Sequence, residues 1–136
     1  MTKQRQLPDF ATAPWYSDPS DHRCPHDAWL EKLEIDEPAT GKRNESRSTS
    51  ITLRLLGAYH DGHIVLRYHG VRRYSLATSH CERGLGDWLE DNFSISTDHL
   101  ILHLVKWAGF RSEGESHWSI EAEDVSYEWV PKSSVQ

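Results

Sequence analysis

Apolar and polar positions alternate most clearly between residues 51 and 70, ITLRLLGAYHDGHIVLRYHG. Asp61-Gly62 separates two alternating runs, and glycine accepts positive φ without steric cost, so the pair predicts a type I′ hairpin. That turn sets a register. His60 faces His63, Tyr59 faces Ile64, Gly57 faces Leu66, and Leu55 faces Tyr68. Leu53, Leu55, Tyr59, Ile64, Leu66 and Tyr68 then share one face, with Arg54, Arg67 and His69 on the other. A slip of one residue would turn the whole apolar set into water.

The same alternation predicts further strands. Residues 71–77 continue the hairpin through Val71 and Leu76, and 99–107 (HLILHLVKW) form another strand. Residues 117–123 and 125–130 form the last two, joined by a kink at Glu123-Asp124. Residues 28–36 fit a first strand or a short helix, and 87–95 a strand or a helical turn. The segment 37–48 is a polar loop with Gly41 as its turn. Nothing shows sustained 3.6-residue periodicity. The pattern predicts a mostly β chain, an antiparallel meander forming a sandwich or a strongly curled sheet. A faint repeat runs through it: Leu53-x-Leu55 before Ile64-x-Leu66-x-Tyr68, and Leu102-x-Leu104 before Trp118-x-Ile120-x-Ala122.

Strand 99–107 is apolar on both sides. Leu100, Leu102 and Leu104 take one, and Ile101, Val105 and Trp107 the other, with His103 among them. A strand of this kind is normally covered twice. The expected cover for Ile101, Val105 and Trp107 is the chain itself, either the N-terminal arm or facing strands, with a homodimer as the alternative.

Proline marks the arm. Four of the six prolines (Pro8, Pro14, Pro19, Pro25) fall in residues 1–25, and none in 39–130. Proline breaks sheet ladders, so 1–25 reads as an irregular arm and 26–136 as one β domain. Phe10, Trp15 and Tyr16 give the arm rings with which to dock on that domain. Length agrees, since 136 residues suffice for one core. Six tryptophans make large rings a major part of it. No run is apolar enough to span a membrane and the first residues carry no apolar signal core, so the expected location is the cytoplasm.

The net charge is −6 and lies in the second half. Residues 1–86 hold 12 Lys/Arg and 11 Asp/Glu, whereas 87–136 hold 3 and 10. Such a surface disfavours nucleic acid and favours a basic partner. Arg54, Arg67, Arg72, Arg73 and Tyr74 form the one basic–aromatic grouping, and its bland explanation is cross-strand pairing with carboxylates.

Reactive chemistry is sparse. Cys24, His26, His80 and Cys81 are zinc-type ligands. The tight Cys-x-His and the adjacent His-Cys converge poorly, so no metal and no cofactor is expected. His60 and His63 flank a turn that explains Asp61 and Gly62 without catalysis. Gly84-Leu85-Gly86 lacks the rest of a phosphate loop, and no nucleophile motif is present. No catalytic residue is assigned and the chain is not expected to be an enzyme. Glu121, Glu123 and Asp124, with Trp107, are the candidate binding residues of the acidic half.

Pro25-His26-Asp27-Ala28-Trp29-Leu30, followed by the alternation Leu66-Arg67-Tyr68-His69-Gly70-Val71, resembles small bacterial immunity-type domains that neutralise the toxins of competing cells. The resemblance covers residues 25–76 and leaves out Trp107, Trp118 and Trp129. It implies a non-catalytic binder that blocks a toxin by surface complementarity, and carries over no catalytic residues. The chain is expected to be a monomer or a homodimer. The alternative is a small-molecule or metal-binding β domain using the His-rich turns.

Overall fold

The computed structural model describes residues 5–79, 81–109 and 114–133. Six strands form one antiparallel sheet that curls into a closed barrel: β1 (Trp29–Asp36), β4 (Ser50–Leu56), β5 (Gly62–Leu76), β6 (Asp87–Ile95), β7 (Ile101–Ala108) and β8 (Glu115–Pro131). A small ribbon, β2 (Ala39–Thr40) with β3 (Ser46–Arg47), extends the β1–β4 connection where a polar loop is expected. The spatial order is β1-β4-β5-β8-β7-β6. The curled-sheet alternative therefore holds over the sandwich. The meander is interrupted once, where residues 77–86 cross from β5 to β6. The barrel is two three-stranded meanders joined at β5–β8 and β1–β6, and the repeated apolar pattern falls on the second and third strands of each.

The ambiguous segments 28–36 and 87–95 are both strands. The last two expected strands are one, β8, which stays paired with β5 through the kink. Tyr68 and Val71 both point inward, although three residues apart, because Gly70 adopts φ +63° between them. Opposite them, Ala122 and Val125 make the same switch across Glu123-Asp124.

The hairpin exists, but its turn is longer than expected. Leu55 pairs with Ile64 and Leu53 with Leu66, leaving residues 57–61 as the loop. Gly57 N donates to Gly62 O at 3.0 Å, and His60, not Gly62, takes the left-handed conformation at φ +59°. The shift from the expected register is an even number of residues, so the inward set survives. Tyr59 leaves it, half-exposed and stacked on His22 of the arm. Gly62 is required for space instead of φ: a Cβ there would lie 2.4 Å from the Trp129 ring. Gly62→Val is expected to cost about 1–3 kcal/mol through this overpacking. An unchanged denaturation midpoint would contradict the contact.

Inside the barrel, Ile51, Leu53, Leu55, Ile64, Leu66, Ile101 and Ile120 are almost fully buried. Trp107 packs edge-on between Trp88 and Trp118, at 5.3 and 5.2 Å between ring centroids. The cover for Ile101, Val105 and Trp107 is thus the barrel's own facing strands.

The arm closes an end of this core. It forms one helical turn, α1 (Asp9–Thr12), and one 3-10 turn, Pro14–Ser17. Phe10 meets Phe93 and Tyr127 at 5.4 and 5.5 Å, and Trp15 meets Tyr127 at 5.0 Å. β1 and β6 pair as strands only at Trp29–Asp87, and the chain before β1 continues along β6. Asp27 N donates to Trp88 O at 2.8 Å, and His26 Nδ1 lies 3.0 Å from Leu89 O. The docking expected of the arm's rings is observed. Among the described residues no helix is long and apolar enough to cross a membrane.

Candidate functional site

β7 supplies the site because its two apolar faces have different fates. Ile101, His103, Val105 and Trp107 point into the barrel, so Leu102 and Leu104 point out. The neighbouring strands place polar side chains around these two, most of them short. Leu104 lies between Asn92 of β6 and Ser119 of β8, and Ser75 of β5 lies beyond Ser119. Leu102 lies between Ser94 and Glu121, with Arg73 beyond Glu121. Short neighbours leave the leucines in two shallow depressions. One of about 280 Å³ is bordered by Glu90, Asn92, Leu104, Lys106 and His117. The other, about 600 Å³, is bordered by Arg73, Ser75, Leu102, Ser119 and Glu121. Leu104 stays 43% exposed, high for a leucine in the middle of a strand.

Charged rows flank the apolar strip. On one side Lys106 pairs with Glu90 at 2.9 Å, and His117 lies 3.6 Å from Glu115. On the other, Arg73 bonds both Glu121 and Asp98. Glu121 and Asp98 hold the Arg73 guanidinium protonated even more firmly than usual, and Glu90 does the same for the Lys106 ammonium. Four carboxylates thus face two permanent cations around the strip.

Three of the four candidate binding residues lie on or beside this wall. Glu121 borders it, Glu123 pairs with Arg72 one row further, and Asp124 is exposed at the kink, accepting from Val125 N at 3.0 Å. Trp107 does not belong with them. It is fully buried, and its indole N–H finds no partner among the described residues. The outer face of β7 presents Leu104, and the Trp107 ring is closed to solvent. The arginine grouping is explained by cross-strand pairing: Arg54 with Glu31, Arg67 with Glu128, Arg72 with Glu123, and Arg73 with Glu121.

The metal candidates do not converge into a described cluster. Cys24 is buried, Cys81 is exposed, and His80 lies outside the described residues. Among the described residues no group of three or more His, Cys, Asp or Glu is placed to hold a metal ion. Of the turn histidines, His60 packs on Trp29 and His63 bonds Glu31 at 2.9 Å.

A second polar group lies inside. His103 is fully buried, stacked on Phe93 at 3.7 Å. Its Nε2 lies 2.6 Å from Asp91 Oδ2, and its Nδ1 2.7 Å from the Tyr68 hydroxyl. Asp91 also accepts from Tyr16 OH at 2.7 Å and from Trp88 Nε1 at 3.3 Å. One arrangement satisfies every group: ionised Asp91, neutral His103 donating through Nε2, and Tyr68 donating to Nδ1. Burial, with Asp91 adding to it, holds both phenols protonated, and burial pushes the Cys24 thiol up as well. The network ties the arm to the core, because Tyr16 of the arm and His103 of β7 share Asp91.

Burial pushes His103 below its ordinary value of 6.5, and the opposing pull of Asp91 only partly offsets this. The unfolded chain therefore takes up a proton that the folded one refuses. Stability from this group is complete above about pH 6.5 and declines as the pH falls below it. The denaturation midpoint is expected to drop between about pH 7.5 and pH 5.5, with a shallower drop in His103→Gln. Equal slopes in both proteins would contradict the assignment.

Compared with protein-family models, curated proteins and solved structures, the chain matches none.

Proposed function

We propose that this protein is a non-catalytic binding domain whose outer wall of β6, β7 and β8 docks a basic protein, in the manner of a cytoplasmic inhibitor that neutralises a toxin. The observation that carries the reading is the uncovered leucine strip within its charged border. An apolar centre inside a polar rim is the usual anatomy of a protein interface. Leu102 and Leu104 contribute nothing to the barrel core from their outward positions. The rim carries an excess of carboxylates, which steers a basic partner and repels an acidic one. Rigid strands hold the strip, so little ordering entropy opposes docking. The buried Asp91–His103 pair favours a structural role over catalysis, because its lone pairs and protons are already engaged.

The test is a calorimetric titration against the toxin domain encoded beside this protein. Saturable one-to-one binding with loss of toxin activity is the expected result. A gene neighbourhood without a toxin, or a toxin domain that does not bind, contradicts the proposal.

A further inference from the structure

Among the described residues, no strand pairs with the second edge of β1 beyond Trp29. Its strand pairing with β6 stops at Trp29, while its other edge pairs with β4 along its length. Among the described residues, the backbone hydrogen bonds of residues 33–36 go to β4 alone. Leu33 and Ile35 lie on the face that carries Leu53 and Ile51, yet they remain 38% and 40% exposed. An unpaired, partly apolar edge is a template for another strand.

We infer that this edge pairs with the same edge of a second copy of this chain, β1 antiparallel to β1, with Leu33 at the twofold axis. A twofold interface must be complementary to itself. In this register Leu33 meets its own counterpart, and Lys32 of each copy lies opposite Glu34 of the other. Lys32 and Glu34 already attract one another within the chain, at 3.2 Å, and exchange partners across the axis without loss of charge balance. Glu31, which would otherwise add repulsion, is engaged within its own chain, by Arg54 and by a contact with His63. Edge charges usually discourage pairing; here their order along the strand suits this register and opposes the one that sets Lys32 on the axis. Joining the two edges satisfies the open backbone groups and brings Leu33 and Ile35 of both copies onto a shared apolar face. The leucine strip of β7 lies on a different wall and stays free.

Sedimentation velocity across a concentration series tests this, with circular dichroism confirming the fold of each variant. The wild-type chain is expected to dimerise. Lys32→Glu sets Glu against Glu34 across the axis and is expected to weaken the dimer at least tenfold. The double variant Lys32→Glu/Glu34→Lys restores opposite charges and is expected to recover it. A wild-type monomer at every concentration overturns the inference. So does a dimer indifferent to Lys32→Glu, or a folded double variant that stays monomeric.

Discussion

Asp91→Ala is expected to lower the unfolding free energy by about 3–5 kcal/mol, because it strips one carboxylate from three buried or half-buried donors. Tyr16 OH, His103 Nε2 and Trp88 Nε1 all converge on Asp91. With the acceptor gone, His103 is left inside the barrel beside an unfilled space and without its anchor. Asp91→Asn retains one acceptor oxygen but turns an amide N–H₂ toward donors, so it should lose about half as much. Tyr16→Phe removes a single bond and should cost about 1 kcal/mol. Urea denaturation of the three variants reads the series directly. Three equal midpoints, all matching wild type, would mean that the buried chain of hydrogen bonds does not form.

Removal of residues 1–24 is the second large perturbation. Phe10, Trp15 and Tyr16 pack on Phe93 and Tyr127, and Tyr16 is nearly fully buried. Tyr16 forfeits about 1.5–3 kcal/mol of burial on leaving the core, and the half-buried Phe10 and Trp15 each forfeit part of that. Together with the Asp91 contact, the loss is comparable with the whole stability of an ordinary domain, about 5–15 kcal/mol. The truncated protein is expected to bind hydrophobic dyes and to melt far below the full chain, without a change in oligomeric state that would hide the exposed rings. Melting at the same temperature would show that the arm is a tail, not a wall of the core.

The inward residues of the hairpin were legible from sequence because period-two alternation survives an error in the turn. The turn itself was not, because Asp61-Gly62 fits a short loop equally well. What selects the longer one is distant: Trp129 lies against Gly62, and His22 and Pro19 of the arm hold Tyr59. The closing of the sheet was equally hidden, since β1 meets β6 across more than fifty residues. His103 gave a signal, a lone imidazole in an apolar row. Its partner Asp91 gave none, because the bulge after Trp88 reverses the inward positions of β6. The acidic residues of β8 are legible as surface from their charge. The leucines beside them are not: an alternating strand looks the same whichever apolar face is turned inward. Only the barrel's curvature decides that Trp107 goes in and Leu104 stays out.

That decision is the centre of the functional account, and one comparison tests it. Titration of a toxin domain of the proposed kind into Leu104→Lys and Val130→Lys, alongside wild type, separates the leucine strip from an exposed apolar position on the far stretch of β8, which pairs with β5 and not with β7. Lysine at residue 104 buries a cation against a basic partner, so affinity is expected to fall at least about tenfold, or 1.4 kcal/mol. Val130→Lys should bind as wild type does. Equal binding by Leu104→Lys and wild type, with both proteins folded, would contradict docking on this wall.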